Sequence, residues 1–458
     1  MLVLGMLACQ ASVTSLRPAL EEEGEVYLYL QPFTQEADRL RFSIEGISAV
    51  SSDGKEFPIS LAMHDLKAFD LKRQRLLGSV QLPPGPYRGF SIKTKNAILQ
   101  VEDGEAALLI PEEPARIDFP FNVTRKRASV IALVFRYVES VKGGFSFIPS
   151  FGVMIPPKPI ITLVGYVTNQ NSNNIMVFDK KSGMVTGVIV TGRGPAGMVL
   201  DQRQRRAYVA ISGDDTIEII DVTAGEIINR LRLNTGDRPQ ELALTPDGRV
   251  LISVNPGSNT ISFIDPISFI EVSRLDVGKG TNSALIDNTG RRAFIFNTVS
   301  STISVIDIPN RMITATISTD PGPLRGQINR RGDRLYVIHE FSSYLTVLDP
   351  VSLSVQRRFP VRMGMNSIKV DPNTDFVYLG RKNDIVIEVY DSFSFVPIHS
   401  IRTGGEITYM TIDSEENNLY LLSSDMKRVM VTNLVSKRIF KEIDVSEGSY
   451  WISMMGEK

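Results

Sequence analysis

A polar residue recurs at nearly constant spacing through the C-terminal part of the chain, and this repeat constrains the fold more than any other feature. Each copy ends a short run of alternating β-branched residues, and the copies are Asp179, Asp221, Asp265, Asp307, Asp349, Asp391 and Asn433. Successive copies lie 42, 44, 42, 42, 42 and 42 residues apart. A period in the low forties with strand-like alternation is typical of a ring of four-stranded sheets. The repeat therefore predicts a seven-bladed β-propeller.

Each repeat holds four strand-like runs, the number found in one propeller blade. In the second repeat they cover residues 197–201, 207–211, 216–221 and 227–233. The aspartate that ends the third run can accept backbone N–H bonds in the following turn, so its recurrence is predicted to be structural. A bulky residue thirteen positions earlier is predicted to pack between neighbouring blades. Its copies are Tyr166, Tyr208, Ile252, Phe294, Tyr336, Tyr378 and Tyr420.

The two ends of the repeat array complement each other. The first repeat begins directly at its second strand, and residues 449–455 follow the seventh outer strand at the place of an inner strand. Pairing of these ends would remove two exposed sheet edges. We therefore predict that the C-terminal strand closes the ring by completing the first blade.

A short motif in the first repeat carries a family resemblance. The tetrapeptide Tyr166-Val167-Thr168-Asn169 is followed by Asn-Ile-Met-Val-Phe-Asp at residues 174–179. With these motifs, the chain from about residue 160 onward resembles the YVTN family of β-propeller repeat proteins. The resemblance implies a location in the cell envelope and a role in interactions, and it implies no settled substrate.

The first part of the chain lacks the later period. Short alternating runs over residues 26–141, separated by turn signals such as those at 52–54 and 83–86, predict an antiparallel β-sandwich. Residues 82–90 and the apolar run 131–135 make this part similar to an uncharacterised bacterial lipoprotein domain with a prealbumin-like or immunoglobulin-like sandwich. We place the sandwich at residues 24–155 and the propeller at 156–458, because a proline-rich stretch near 156–159 interrupts strand formation.

The N-terminal residues 1–23 read as a lipoprotein signal and tether. An apolar run ends in Met6-Leu7-Ala8-Cys9, which resembles the lipobox of bacterial lipoproteins. The resemblance implies that Cys9 is acylated and that the protein is exported and lipid-anchored in the bacterial envelope, at the outer membrane on its periplasmic or surface side. The alternative is an ordinary hydrophobic N terminus with a chance cysteine, since a signal usually opens with Lys or Arg and none precedes Arg17.

Composition excludes several classes of function. Fifty basic and fifty-one acidic residues leave the chain near neutral, so no whole-protein charge favours nucleic acid. A single cysteine excludes disulfides and structural cysteine–zinc sites. Three histidines and the lack of a Cys-x-x-Cys-His segment exclude covalent c-type haem, so we expect no cofactor and no metal site. We expect a monomer.

Candidate binding residues lie where loops surround the mouth of a propeller channel. The position three residues after each bulky residue is predicted to reach this rim, and it holds Asn169, Ile211, Asn255, Asn297, His339, Arg381 and Ser423. Of these, the asparagines, His339 and Arg381 are the candidate binding residues. The loops between blades are predicted to add the basic residues Arg193, Arg238, Lys279, Arg325, Arg362 and Arg402. Convergent basic groups pair well with carboxylates or phosphates, so the ring predicts an anion-binding mouth. The alternative is a set of solvated loop charges.

These observations predict a non-enzymatic envelope protein with no catalytic residues, which binds another protein, a polymer or a small anion through the loop face. His339 is the one histidine at the expected rim, and a lone histidine without a placed nucleophile is weak evidence for catalysis. Two alternatives remain open. One is a hydrolase or lactonase acting at the channel mouth, and the other is a structural protein of a surface layer.

Overall fold

The computed structural model describes residues 18–102 and 104–457, and the protein is all-β over these ranges. Within them, helix is confined to Tyr137–Ser140 and to the short 3-10 segments Gln35–Ala37, Ala68–Leu71 and Ile161–Leu163. In the part of the chain described, no helix has the length and apolar character needed to cross a membrane.

The N-terminal part contains thirteen strands in the described residues. They are β1 (Gly24–Leu30), β2 (Leu40–Ser51), β3 (Glu56–Pro58), β4 (Ser60–Leu61), β5 (Asp65–Lys67), β6 (Arg75–Leu82), β7 (Gly85–Val101), β8 (Gly104–Ala107), β9 (Ala115–Val123), β10 (Ala128–Phe135), β11 (Val141–Lys142), β12 (Ser146–Phe147) and β13 (Phe151–Met154).

These strands form two larger sheets and a small ribbon. One sheet has the order β13-β10-β1-β6-β4, with β1 and β10 parallel. The other has the order β3-β2-β7-β8, with β5 added to β2 and β9 added to β7, while β11 pairs with β12. Buried residues from both larger sheets, such as Leu28 on β1 and Phe90 on β7, share one hydrophobic core. That shared core fixes the two sheets against each other.

The C-terminal part consists of four-stranded antiparallel sheets, seven of them in the described residues. Their strands are β14 (Val164–Asn169), β15 (Asn174–Asp179), β16 (Val185–Val190), β17 (Pro195–Asp201), β18 (Arg206–Ile211), β19 (Thr216–Asp221), β20 (Glu226–Arg232), β21 (Glu241–Leu244), β22 (Leu251–Asn255), β23 (Thr260–Asp265), β24 (Ile270–Asp276), β25 (Thr281–Ile286), β26 (Arg292–Asn297), β27 (Thr302–Asp307), β28 (Met312–Ser318), β29 (Pro323–Ile328), β30 (Leu335–His339), β31 (Tyr344–Leu348), β32 (Val355–Pro360), β33 (Met365–Val370), β34 (Val377–Arg381), β35 (Val386–Tyr390), β36 (Pro397–Arg402), β37 (Tyr409–Asp413), β38 (Asn418–Ser423), β39 (Arg428–Asn433), β40 (Ile439–Asp444) and β41 (Ser449–Met454).

The sheets follow one another along the chain, apart from the first. Six of them are built from consecutive strands, β17–β20 through β37–β40, whereas the first has the order β16-β15-β14-β41. The last strand of the chain therefore pairs with β14, and Val167 lies opposite Ile452. The first strands of successive sheets contact one another in chain order, and β41 contacts both β17 and β37. This arrangement is β-propeller-like.

The recurring polar residue forms turns, as its sequence context predicts. At the end of β19, the Asp221 carboxylate accepts the backbone N–H groups of Thr223 and Ala224 at 2.7 and 2.9 Å. Asn433 at the end of β39 accepts from the two corresponding residues of its own turn. The side chain thus replaces backbone partners in the turn between third and fourth strands.

The bulky residues of the second strands pack as predicted. All seven are at most 1% exposed. Tyr166 on β14 shares a hydrophobic cluster with Met198 and Val209 of the next sheet, and Tyr420 shares one with Val167 of the first sheet. Each therefore fills space between neighbouring sheets.

The two parts of the chain contact each other through β1, β6 and β10. Tyr27 and Tyr29 pack into a cluster with residues of the first and last four-stranded sheets. The Asn174 amide donates a 2.6 Å hydrogen bond to the Tyr27 hydroxyl. Asp444, the last residue of β40, accepts from Arg75 Nε at 2.8 Å and also pairs with Arg73. The connection between the parts runs from the end of β13 at Met154 to the start of β14 at Val164.

Candidate functional site

A cavity of about 390 Å³ opens among the first strands of the four-stranded sheets, and we call it the axial cavity. Its wall comes from β25, β29, β33 and β41, from the start of β37, and from the loops β14–β15, β38–β39 and β40–β41. Five of its residues occupy equivalent positions of successive sheets, 42 residues apart along the chain: Asn282, Leu324, Asn366, Thr408 and Tyr450. Equivalent positions of neighbouring sheets face the same centre, which is why residues so far apart in sequence meet here.

An ion pair lies at one side of the axial cavity. Arg325 on β29 lines the cavity, and its Nη2 lies 2.7 Å from Oε2 of Glu241 at the start of β21. The two side chains are 17% and 5% exposed. Burial raises the pKa of the Glu241 carboxyl, and the nearby Arg325 opposes that rise. Burial also works against the charge of Arg325, but Glu241 and two tyrosines keep its pKa raised. The guanidinium of Arg325 therefore carries its positive charge, and the Glu241 carboxylate compensates that charge.

Aromatic rings form a second side of the axial cavity. Tyr409 and Trp451 stack with ring centroids 4.0 Å apart, and Tyr450 lies next to Trp451. The Arg325 guanidinium carbon is 4.9 Å from the Trp451 ring centre and 5.4 Å from that of Tyr409. These distances place the cation within reach of both ring faces. Trp451 is the only tryptophan of the chain.

Amide and hydroxyl groups complete the wall. Asn282 Nδ2 donates to the Leu324 carbonyl at 3.0 Å, and Asn366 Nδ2 donates to Glu406 at 2.6 Å. The Tyr450 hydroxyl accepts from Gln240 at 2.6 Å. Ser449 is 3% exposed, and its Oγ has no hydrogen-bond partner among the described residues. This hydroxyl is one of several buried side-chain groups among the described residues that lack a partner.

The far ends of the same strands hold the C terminus. The Lys180 ammonium lies 2.6 Å from the Asp413 carboxylate and donates to the Met455 carbonyl at 2.6 Å. Thr411 on β37 hydrogen-bonds to Glu457. Burial raises the pKa of the Glu457 carboxyl and lowers that of the Lys369 ammonium, and the two groups attract each other. Residues 455–457 therefore occupy this end, whereas the axial cavity lies at the other.

The three asparagines expected at the rim are buried. Asn169, Asn255 and Asn297 end the second strands of their sheets and are 0% exposed. Their amides donate across the hairpin to third-strand side chains, for example from Asn255 to Ser262 at 2.9 Å and from Asn297 to Ser304 at 3.0 Å. The Asn169 amide donates to Asn174, the first residue of the third strand, at 2.9 Å. In this structure they hold hairpins together.

His339 and Arg381 occupy the same strand end in other sheets. His339 is 0% exposed, and its Nδ1 lies 3.2 Å from the Tyr344 carbonyl. Burial lowers the pKa of His339 to about 4, so the ring is neutral near pH 7. Arg381 is half-buried and pairs with Asp384 of its own hairpin. Neither side chain lines the axial cavity.

The basic residues are spread over different environments. Arg325 is the one that lines the axial cavity, and it lies within strand β29, whereas the sequence suggests a loop. Arg402 likewise lies in a strand, as the last residue of β36. Arg193 is exposed and pairs with Asp214 at 2.7 Å. Exposed positions are also found for Arg238, Lys279, Arg362 and Arg402. Cys9 lies outside the described residues.

Sequence reasoning missed most of the axial cavity. The sequence places the expected rim at the ends of second strands and in the loops between sheets. The residues that form the site lie instead on first strands: Glu241, Tyr409, Tyr450 and Trp451. The signal was nonetheless present, because the 42-residue period that aligns the turn residues also aligns these positions. Across residues 18–102 and 104–457, no group of three or more His, Cys, Asp or Glu side chains is arranged to hold a metal ion.

No protein-family model matches the chain, and neither does any curated protein. Solved structures do share its fold. A functionally unknown protein from Desulfotomaculum acetoxidans DSM 771 has a TM-score of 0.57 at 13% identity, over 64% of this chain and 98% of that one. The dihydro-heme d1 dehydrogenase NirN, in complex with DHE, has a TM-score of 0.52 at 12% identity, and the match covers 66% of this chain and 77% of that one. Hydrazine synthase of Kuenenia stuttgartiensis has a TM-score of 0.50 at 16% identity, and the match covers 56% of this chain and 87% of that one. At these identities the likeness is one of fold alone.

Proposed function

We propose that the C-terminal part is a seven-bladed propeller of the YVTN type, closed by β41, and that the N-terminal part is a β-sandwich. The pairing of β41 with β14 and the contacts of β41 with β17 and β37 support closure. The hydrophobic core shared by the two N-terminal sheets supports the sandwich.

We propose further that the protein is a non-enzymatic binding protein of the bacterial envelope, anchored through Cys9, and that its ligand enters the axial cavity. The carrying observation is the wall of this cavity, where four carboxamide side chains lie together with the stacked rings of Tyr409 and Trp451. A concave site with aromatic surface and a few convergent polar groups is the usual form of a small-ligand site. The basic loop residues are a weaker candidate, because they are exposed or already paired.

Site-specific photo-crosslinking in cells tests this proposal. A photoreactive amino acid replaces Ser424, which lines the axial cavity, or Met312, which is exposed on the outer strand β28. We expect an adduct of defined mass from position 424 and none from position 312. Equal labelling at both positions, or no adduct from 424, would contradict a binding site at the axial cavity. The lactonase alternative instead requires turnover of a lactone or ester panel by the purified chain.

A further inference from the structure

We infer that the axial cavity binds a neutral polyhydroxylated ring, namely a sugar residue, either free or at the end of a polymer. This inference rests on the proposed function and names the ligand class of the same site. It draws on three properties of the wall: its charge, its hydrogen-bonding groups and its aromatic surface.

The wall carries no net charge. Among the described residues that line the axial cavity, Arg325 is the one cationic side chain, no carboxylate is present, and Glu241 neutralises the guanidinium from 2.7 Å. A buried ionic ligand would find no uncompensated charge to replace its lost hydration, and burial of an unpaired charge is strongly unfavourable. A neutral ligand avoids that cost.

The polar groups of the wall both donate and accept hydrogen bonds. Four carboxamides line the cavity, from Gln170, Asn171, Asn282 and Asn366. Each carboxamide offers two N–H donors and a carbonyl acceptor, and a sugar hydroxyl likewise donates and accepts. Such a set matches several adjacent hydroxyls better than it matches a carboxylate, which only accepts.

The aromatic surface of the wall matches the apolar face of a sugar ring. A pyranose ring has an apolar face of C–H groups, which packs on an aromatic ring while the hydroxyls at its edge stay hydrogen-bonded. Tyr409, Tyr450 and Trp451 lie together on one side of the cavity. The volume of about 390 Å³ is within the range of small-ligand pockets.

Trp451 makes the test direct, because the only tryptophan of the chain lies in the site. The full chain is titrated with glucose, galactose, N-acetylglucosamine and a maltotetraose while tryptophan emission is recorded. We expect a saturable change with at least one of these sugars below about 10 mM, a limit that includes weak ligands. A response to the monosaccharides supports a free sugar, and a response to the tetrasaccharide alone supports a polymer end.

Two asparagines provide a matched pair of variants. Asn282 lines the axial cavity, whereas Asn310 lies outside it in an exposed turn, where its amide donates to Asp307. We expect Asn282→Ala to weaken sugar binding about fivefold, as for the loss of one hydrogen bond, and Asn310→Ala to leave the affinity within twofold. Equal effects of the two variants would overturn the assignment.

Citrate and inorganic phosphate are titrated in parallel. If they change Trp451 emission and no sugar does, the sugar inference is overturned while binding in the axial cavity stands. If no probe changes the emission, the sugar inference is also overturned, and crosslinking from position 424 decides the proposed function separately.

Discussion

Glu241 and Arg325 lie in different sheets, yet their side chains meet at 2.7 Å beside the axial cavity. Both are largely buried, so each charge depends on the other for compensation. The pair also fixes the guanidinium against the rings of Tyr409 and Trp451. The cavity is thus held by contacts across four sheets.

Removal of one member of this pair should be more harmful than removal of both. Glu241→Leu leaves a buried guanidinium without its counter-ion, and we expect the free energy of unfolding to fall by about 3 to 5 kcal/mol. The double variant Glu241→Leu with Arg325→Met should recover most of that loss. Urea unfolding followed by circular dichroism measures all three proteins. A double variant less stable than Glu241→Leu would contradict the role of the pair.

The buried ring of His339 should make stability depend on pH. Its pKa is lowered to about 4, from an ordinary value of 6.5. Between these values the unfolded chain binds the proton and the folded chain does not, so stability is present above pH 6.5 and is lost as the pH falls towards 4. The loss amounts to about 3 kcal/mol.

His339→Gln should remove this contribution to stability. Urea unfolding between pH 4 and pH 7 should then show that the free energy of unfolding depends less steeply on pH, by about one proton. The control is His399→Gln, because His399 is exposed on the outer strand β36. It should keep the wild-type slope. An unchanged slope for His339→Gln would show that other groups carry the pH dependence.

Deletion of the last strand should open the first sheet. A chain that ends at Gly448 lacks β41, leaves β14 with an unpaired edge and removes Trp451 from the cavity. We expect a large drop in Tm by circular dichroism, together with self-association through the free edge. A synthetic peptide of residues 446–458 should restore Tm in a concentration-dependent way. A truncated chain with the wild-type Tm would rule out closure by β41.

Asp444 should control how firmly the N-terminal part is attached. Its carboxylate accepts from Arg75 Nε at 2.8 Å and from the Leu76 backbone N–H at 3.2 Å. We expect Asp444→Ala to weaken the contact by about 1.5 to 3 kcal/mol, the range for hydrogen bonds to a charged group.

Calorimetry should then resolve a separate transition of lower temperature, and proteases should cut faster between residues 155 and 163. The nearby Glu447→Ala is the matched control, because its pair with Lys427 is exposed and surface pairs contribute little. If both variants behave alike, the contact at Asp444 does not hold the two parts together.

The fold was more readable from the sequence than the site was. Asp221 and Tyr208 repeat because every sheet needs the same turn and the same packing, so a single period reveals both. Glu241 and Trp451 occupy equivalent positions on the first strands of their sheets, but the side chain at this position differs from sheet to sheet. Repetition is visible in one sequence, whereas a site built from the differences between repeats appears only when those positions are brought together. Arg325 illustrates this, since it lies in a strand and its charge is neutralised by a residue of another sheet.

The pairing of β14 with β41 also has a consequence for how the chain is made. Residues 164–169 leave the ribosome long before residues 449–454 exist, and at ~10 residues per second this delay is on the order of half a minute. Throughout that time one edge of β14 has no partner of its own, and unpaired edges invite strands from other chains. A newly made molecule therefore exposes this edge until synthesis has finished, and a prematurely terminated copy that lacks β41 keeps it exposed.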